Sequence, residues 1–163
     1  MKNKPIILPD GTKVYKDRSV GVVMLAFIKI NGKFHILCNK RGARTSEESL
    51  HWNLPSGYLD WDESGEEGAV RETREECGID IPLPLVHEVE HSTSPKENRQ
   101  NIIFRYLAIL PSAFSNLPLI PNDPEEDEVR EVKWIPIDEI DNYNFAWNQL
   151  ETIKRVFNNF INK

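Results

Sequence analysis

Short apolar runs separated by turn residues predict most of the strands. Ser19–Ile30 is rich in Val, Met, Phe and Ile, and this apolar character predicts a buried strand. Asn31-Gly32 follows as a strong signal for a two-residue turn, so Phe34–Asn39 is expected to return as an antiparallel partner near the centre of a sheet. The same criterion predicts a small hairpin within Ile6–Tyr15, strands at Pro82–Val89, Ile102–Leu110 and Val129–Ile135, and a polar loop at Glu90–Asn101.

Two longer segments have the period of an amphipathic helix. The first is predicted at Gly65–Cys77, where Ser64 and Glu67 have the spacing of a capping box and Gly78 supplies a left-handed residue at the end. Its apolar face holds Ala69, Val70, Thr73 and Cys77. The second is predicted at Phe145–Ile161, after a short helix that opens at Ile137–Ile140. The fold class is therefore α+β: a mixed, mostly antiparallel sheet with one helix on each side, in a single domain over residues 1–163.

Acidic residues are concentrated in one part of the chain. The formal charge is −6, and residues 57–80 hold nine acids against two bases, so the remainder is close to neutral. Since a nucleic-acid binder carries a basic patch, a nucleic-acid partner is not expected. No apolar stretch approaches the length of a membrane span, and the first residues do not have the pattern of a signal peptide. Cys38 and Cys77 are predicted to be buried free thiols, which favours a cytoplasmic location.

The acidic face of the first helix needs a physical explanation. Glu72, Glu75 and Glu76 are neighbours at helical spacing, and like charges at that spacing repel one another. Arg71 and Arg74 can offset part of the repulsion, and a hard divalent cation would offset more. A solvated helix rich in Glu and Arg remains an alternative explanation on charge spacing alone.

The spacing from Gly57 to Ile79 resembles a known motif. The matching positions are Gly57, Glu63, Arg71, Glu72, Glu75, Glu76, Gly78 and Ile79. This pattern is similar to the Nudix box of the Nudix hydrolase superfamily, with one departure, since Thr73 stands where an aliphatic residue is usual. The resemblance implies an α/β/α sandwich and a hydrolase that needs Mg²⁺ or Mn²⁺.

The resemblance also implies roles for individual residues. Glu72 and Glu76 would be the main metal ligands, Glu75 would bind a second ion or orient a water, and Ser56 would offer its backbone carbonyl, although a glycine is common there. Arg71 would hold the glutamates in place, with similar support from Glu63. A further acid is expected from Glu125, Glu126 or Glu128, although a charged strand edge is an equally good explanation of that run. The general base stays open between Glu75, Glu76 and the late acid.

Basic residues on two loops are candidates for substrate binding. Arg41 and Arg44 can hold phosphate, or they can simply keep the surface soluble. Pro95 resembles a proline associated with ADP-ribose pyrophosphatases, and Lys96 and Arg99 lie on the same loop. The favoured substrate is thus ADP-ribose or another nucleoside diphosphate sugar. Noncanonical nucleoside triphosphates, RNA 5′ ends, a nucleotide sensor without catalysis, and an acidic interaction module are the alternatives. A homodimer is compatible with the resemblance.

Overall fold

The computed structural model describes residues 5–11, 13–15, 19–43, 48–93, 101–121 and 128–162. Within them the strands are β1 (Pro5–Ile7), β2 (Lys13–Tyr15), β3 (Val20–Ile30), β4 (Lys33–Arg41), β5 (Trp52–Asn53), β6 (Ser56–Tyr58), β7 (Val86–Thr93), β8 (Ile102–Leu110) and β9 (Val129–Pro136). The helices are α1 (Gly65–Cys77) and α2 (Gln149–Val156), and the latter continues into a π-helical turn at Phe157–Ile161. Short 3₁₀ turns occupy Leu83–Leu85, Ser112–Asn116 and Ile137–Asn142.

The main sheet has seven strands and is mixed. Its order is β5-β4-β3-β8-β7, with β6 paired to β3 and β9 paired to β4, and β1 and β2 form a separate antiparallel pair. β3 and β8 are parallel, whereas the other pairs of the main sheet are antiparallel. The predicted β3–β4 hairpin and the mostly antiparallel sheet are therefore confirmed.

Each face of the sheet is covered by one helix. Along β3, Val22, Met24 and Ala26 pack on the side of α1, and Val23, Leu25 and Phe27 pack on the side of α2. Because both faces are covered, the strand is apolar throughout rather than alternating. The α/β/α sandwich expected from the resemblance is confirmed.

Two predicted boundaries are wrong, each for an identifiable reason. The strand expected at Pro82–Val89 begins only at Val86, because prolines 82 and 84 cannot donate to a sheet ladder and Leu83–Leu85 forms a 3₁₀ turn instead. β7 then extends to Thr93, into the predicted polar loop, since it is an outer strand of the sheet and its polar side chains can face solvent.

The predicted helix over Phe145–Ile161 also begins later than expected. Phe145 forms a β-bridge with Trp52, and Trp147 has a φ of 49°, which an α-helix does not allow. The α-helix therefore starts at Gln149. The short helix predicted at Ile137–Ile140 is present as a 3₁₀ helix that runs to Asn142.

The ends of α1 match the prediction in detail. Ser64 Oγ accepts from the Glu67 amide at 3.3 Å, and the Glu67 carboxylate accepts from the Ser64 amide at 2.7 Å, which completes the capping box. Gly78 has a φ of 73°, and its N–H donates to the Arg74 carbonyl at 2.9 Å. Thr73 is buried, and its hydroxyl donates to the Ala69 carbonyl at 2.7 Å, so the one unusual residue of the motif leaves no unpaired polar group.

Gly78→Ala is expected to destabilise the protein more than Gly32→Ala. Both glycines have positive φ, so alanine costs about 1 kcal/mol at each through the backbone. A Cβ at Gly78 would also lie 2.2 Å from the Ile120 carbonyl oxygen, whereas a Cβ at Gly32 would have no heavy atom within 4 Å. This overlap should add about 1–3 kcal/mol. Urea unfolding of the two variants measures the difference; equal losses would contradict the close contact.

Candidate functional site

Three elements bring the predicted site residues together. α1 carries the glutamates, β6 presents Ser56 and Gly57 beside β3, and β4 contributes Asn39 from the neighbouring strand. β5 pairs with β4 so that Asn53 lies opposite Asn39. The segment from Trp52 to Tyr58 is therefore held against the sheet at both ends, next to the polar face of α1.

Arg71 is the centre of a cluster of ion pairs. Its guanidinium donates to both oxygens of Glu63, at 2.9 and 3.1 Å, and also to Glu72 at 2.8 Å and Glu75 at 3.2 Å. It also donates to the Tyr58 carbonyl at 3.0 Å. The bidentate bond from Arg71 lowers the pKa of Glu63, and the surrounding carboxylates raise the pKa of Arg71 itself. The structure thus places Arg71 in contact with both Glu72 and Glu75.

Gly57 lies directly against the carboxylate of Glu72. A Cβ at Gly57 would stand 2.1 Å from Glu72 Oε1 and 2.3 Å from its Cδ, which no side chain can do without moving the carboxylate. The pKa of Glu72 is raised, first by burial and then by the charges of Glu75 and Glu128, although Arg71 opposes the rise. A glycine at this position is therefore what allows Glu72 to approach the β6 backbone.

Glu76 is the most deeply placed carboxylate of the site. Its side chain is 6% exposed, and its Oε2 accepts from the Ser56 amide at 2.9 Å and from Asn39 Nδ2 at 2.8 Å. Burial raises its pKa well above the ordinary value of 4.5, and the charges of Glu72 and Glu128 raise it further. The two hydrogen bonds favour the ionised form but do not cancel the effect of burial.

Glu128 is the late acid that lies near the helix glutamates. It influences the pKa of both Glu72 and Glu76, and its carbonyl accepts from the Gly42 amide at 2.7 Å. Glu125 and Glu126, the other two candidates, fall outside the described residues. The carboxylates of Glu72, Glu75, Glu76 and Glu128 are thus close enough for their charges to interact.

Carboxylate oxygens are ligands that a hard cation prefers, but the oxygens of this site accept hydrogen bonds from other groups of the protein. Among the residues that the structure describes, no three His, Cys, Asp or Glu side chains are arranged to hold a metal ion together. Glu72 and Glu75 are bonded to Arg71, and Glu76 is bonded to Ser56 and Asn39. An all-oxygen donor set of this kind suits Mg²⁺ or Mn²⁺.

The predicted substrate-binding residues are only partly described. Arg41 lies at the end of β4, with its guanidinium 5.0 Å from the centre of the Trp147 ring, while Arg44, Pro95, Lys96 and Arg99 lie outside the described residues. Trp147 is 49% exposed and borders a cleft of about 380 Å³ that is also lined by His51 and Phe145. Trp52 is buried, whereas Trp61 and Tyr58 are exposed.

Sequence reasoning missed three polar residues that support the site: Asn39, Asn53 and Gln149. Asn39 and Asn53 are each 1% exposed, and Gln149 donates to Asn53 across 96 positions of the chain. The sequence offered one signal for them, which is that polar residues stand at the ends of apolar segments. Such a residue becomes buried only if its amide finds hydrogen-bond partners. To predict which of these residues contact one another, one needs the strand register and the residue at which α2 starts.

Comparison with known proteins identifies the family of the chain. The family model described as NUDIX domain matches residues 17–156. Nudix hydrolase 6 of Arabidopsis thaliana is 30% identical over 108 residues, which is 66% of this chain and 35% of that protein, so the chain spans about a third of that relative's length. In the part of the chain that is described, we find no helix long and apolar enough to cross a membrane.

Solved structures share the fold at low identity. The NUDIX domain of Shewanella oneidensis NrtR, complexed with ADP ribose, aligns with a TM-score of 0.73 and 19% identity, over 92% of this chain and 91% of that one. NrtR complexed with a 27mer DNA aligns at 0.66 and 19%, over 85% and 60%. A C. elegans Ap4A hydrolase binary complex aligns at 0.62 and 20%, over 88% and 98%. The fold and the site define a Nudix-type protein, and the family match shows that the chain belongs to the Nudix family.

Gly57→Ala is expected to destabilise the protein through Glu72. The new Cβ must displace the carboxylate and disturb its 2.8 Å bond to Arg71, at a cost of about 1–2 kcal/mol. In a Glu72→Ala background the same substitution meets no carboxylate, so its cost should fall by at least about 0.5 kcal/mol. A double-mutant cycle by urea unfolding measures this coupling. Strict additivity would show that Gly57 is not required by Glu72.

Glu76→Gln is expected to stabilise the metal-free protein in a pH-dependent way. A carboxyl whose pKa is raised by folding binds its proton more tightly in the native state, so the ionisation of Glu76 costs stability as the pH rises above 4.5. Glutamine has no such ionisation. The free energy of unfolding of the variant minus that of the parent, measured in EDTA, should therefore grow from pH 4.5 upward and level off above the folded pKa. A difference that is independent of pH would contradict the burial argument.

Proposed function

We propose that the chain is a divalent-cation-dependent pyrophosphohydrolase that cleaves a nucleoside diphosphate linked to another moiety. The observation that carries the proposal is the buried Glu76 carboxylate bonded to the Ser56 amide, with the charges of Glu72 and Glu128 near enough to raise its pKa and with Arg71 holding Glu72. So many partly buried carboxylates destabilise a fold unless a cation compensates them. Family membership supports the same activity.

In this proposal each side chain has a separate task. Glu72, Glu76 and the Ser56 carbonyl hold the cation, and Glu75 holds a second ion or orients the attacking water. Mg²⁺ or Mn²⁺, when bound, supplies charge neutralisation for the diphosphate and a lowered pKa of water. Arg71 fixes the direction of Glu72 and Glu75, and Glu63 fixes Arg71. The base that would take the proton from water is Glu75, Glu76 or a late acid among Glu125, Glu126 and Glu128. Arg41, Arg44 and Arg99 hold the phosphates and the linked group.

ADP-ribose or another nucleoside diphosphate sugar is the favoured substrate. The support is the likeness in fold to a NUDIX domain complexed with ADP ribose, together with Pro95 and Arg99 of the sequence. An Ap4A hydrolase shares the fold as well, so dinucleoside polyphosphates belong in the same test. Phosphate release from a panel of these compounds and modified dNTPs, with Mg²⁺ and with EDTA, identifies the substrate. Cleavage of one compound that EDTA abolishes is the expected result.

A nucleotide sensor without catalysis is the second candidate. The NUDIX domain of NrtR binds ADP ribose, and NrtR is also described in complex with DNA, which makes a ligand-responsive Nudix domain a real alternative. Ligand-dependent thermal stabilisation, with no cleavage of any compound in the panel, would favour this candidate. The complete set of motif glutamates favours hydrolysis.

The proposal also extends to the organisation of the protein. We propose one Nudix domain over residues 1–163, acting in the cytoplasm on a small nucleotide. Cys38 and Cys77 are both buried and free, which supports a reducing compartment. A homodimer remains part of the proposal, and light scattering coupled to size-exclusion chromatography tests it.

Glu76→Gln is expected to lower kcat by at least about a hundredfold while the protein stays folded. The variant keeps an oxygen for the Ser56 amide but loses the charge that holds the cation. Glu66→Gln is the matched control, because it removes a carboxylate from the first turn of the same helix. Near-normal turnover of Glu76→Gln would refute the assignment, and circular dichroism checks the fold of both variants.

A further inference from the structure

We propose that Gln149, the first residue of α2, is a positioning residue that holds Ser56 and Glu76 in place for cation binding. It acts through Asn53 and touches neither the cation nor the substrate. This inference rests on the proposed function, because it concerns the same cation site. It assigns a role to a helix that packs on the opposite face of the sheet from the motif glutamates.

The side chain of Gln149 bonds to the segment that leads into Ser56 at two points. Its Oε1 accepts from the Leu54 amide at 2.5 Å, and its Nε2 donates to Asn53 Oδ1 at 2.5 Å. The two groups of one amide thus hold consecutive residues of the segment. Because the contacts span 95 and 96 positions, they fix the segment relative to α2 rather than to its own neighbours.

From Asn53 the contacts continue to the cation site. Asn53 Nδ2 donates to Ser56 Oγ at 3.3 Å, and the Ser56 amide donates to Glu76 Oε2 at 2.9 Å. Asn39, opposite Asn53 in the β4–β5 pair, donates to the same Glu76 oxygen at 2.8 Å. Ser56 is therefore held through its side chain and its amide, and these contacts position the residue whose carbonyl is proposed to bind the cation. The Gln149, Asn53, Ser56 and Glu76 bonds form one continuous chain, which we call the amide relay.

Backbone pairing holds Trp52, Asn53 and Pro55 of this segment, but it leaves the Leu54 amide to a side chain. The Trp52 amide donates to Asn144 O at 2.8 Å, and Pro55 O accepts from the Met24 amide at 2.9 Å. The Leu54 amide uses the Gln149 side chain instead. Asn53 is 1% exposed, so solvent offers little replacement if Gln149 is removed. Leu54, two residues before Ser56, is thus positioned by a side-chain amide, and this is the step that a substitution can break.

Gln149→Met tests the inference, with Thr152→Val as the matched control. Methionine keeps the length and helix preference of glutamine but removes both hydrogen bonds. Thr152→Val removes a hydroxyl on the same helix, 5% exposed, that donates to Asn148 O at 3.2 Å and has no bond to the relay. Both variants should lose thermal stability. Only Gln149→Met should weaken Mn²⁺ binding, by about tenfold in isothermal titration calorimetry, as expected for a residue that orients a ligand.

Kinetics add a second measurement on the substrate found in the panel. Gln149→Met should lower kcat with little change in KM, because the substrate contacts stay intact, and raised Mn²⁺ should recover part of the rate. Ser56→Ala breaks the same relay one step later and serves if Gln149→Met fails to fold. In the double variant, Ser56→Ala should add little to the loss already caused by Gln149→Met.

The outcomes separate this inference from the proposed function. Equal Mn²⁺ affinity in the parent and Gln149→Met, or equal weakening in Thr152→Val, overturns the positioning role and leaves hydrolysis untouched. A parent that binds Mn²⁺ but cleaves nothing overturns hydrolysis alone, because the affinity comparison still decides the role of Gln149. A parent that binds no divalent cation overturns both.

Discussion

The site depends on keeping the carboxyl group of Glu76 almost completely out of water. Desolvation opposes the ionised form, and the charges of Glu72 and Glu128 oppose it further. Two hydrogen bonds, from the Ser56 amide and Asn39, compensate only in part. The protein thus holds, at one end of its sheet, a carboxyl group whose ionisation is unfavourable without a compensating positive charge. Much of the surrounding structure can be understood as the support that this arrangement needs.

Arg71 compensates the negative charge of the carboxylates that are more exposed than Glu76. It lies between Glu63, Glu72 and Glu75 and is itself only 20% exposed, so its ion pairs are less screened than surface pairs. Gly57 contributes by having no side chain, which lets the Glu72 carboxylate approach the β6 backbone. The motif therefore combines three features. The Arg71 guanidinium compensates the carboxylates, Gly57 leaves room for the Glu72 carboxylate, and α1 is capped at both ends. These are local features, and a sequence can specify them through residue type and spacing.

The structure differs from the sequence-based predictions where long-range contacts override local preference. The apolar pattern of Phe145–Ile161 is helical, but Phe145 bridges to Trp52 and Trp147 takes a left-handed backbone, so α2 starts four residues later. Polar residues at the end of β7 looked like a loop, but pairing with β8 makes them part of an outer strand. The hydrophobic pattern of one segment cannot predict these structures, because the segment that it contacts lies far away in the chain.

The sequence by itself determined α1, its caps, the β3–β4 hairpin, the two-sided core and the line of glutamates, because each follows from residues a few positions apart. The resemblance of its motif also predicted the family. Only the tertiary structure showed that Glu128 is close enough to influence the helix glutamates, that Glu76 is buried deeply enough for its pKa to be raised, and which residues hold Ser56. Asn39, Asn53 and Gln149 come from three separate segments, and they meet because strand register and helix packing bring them together. Hydrogen bonds and desolvation act over a few ångströms in space, whatever the separation along the chain.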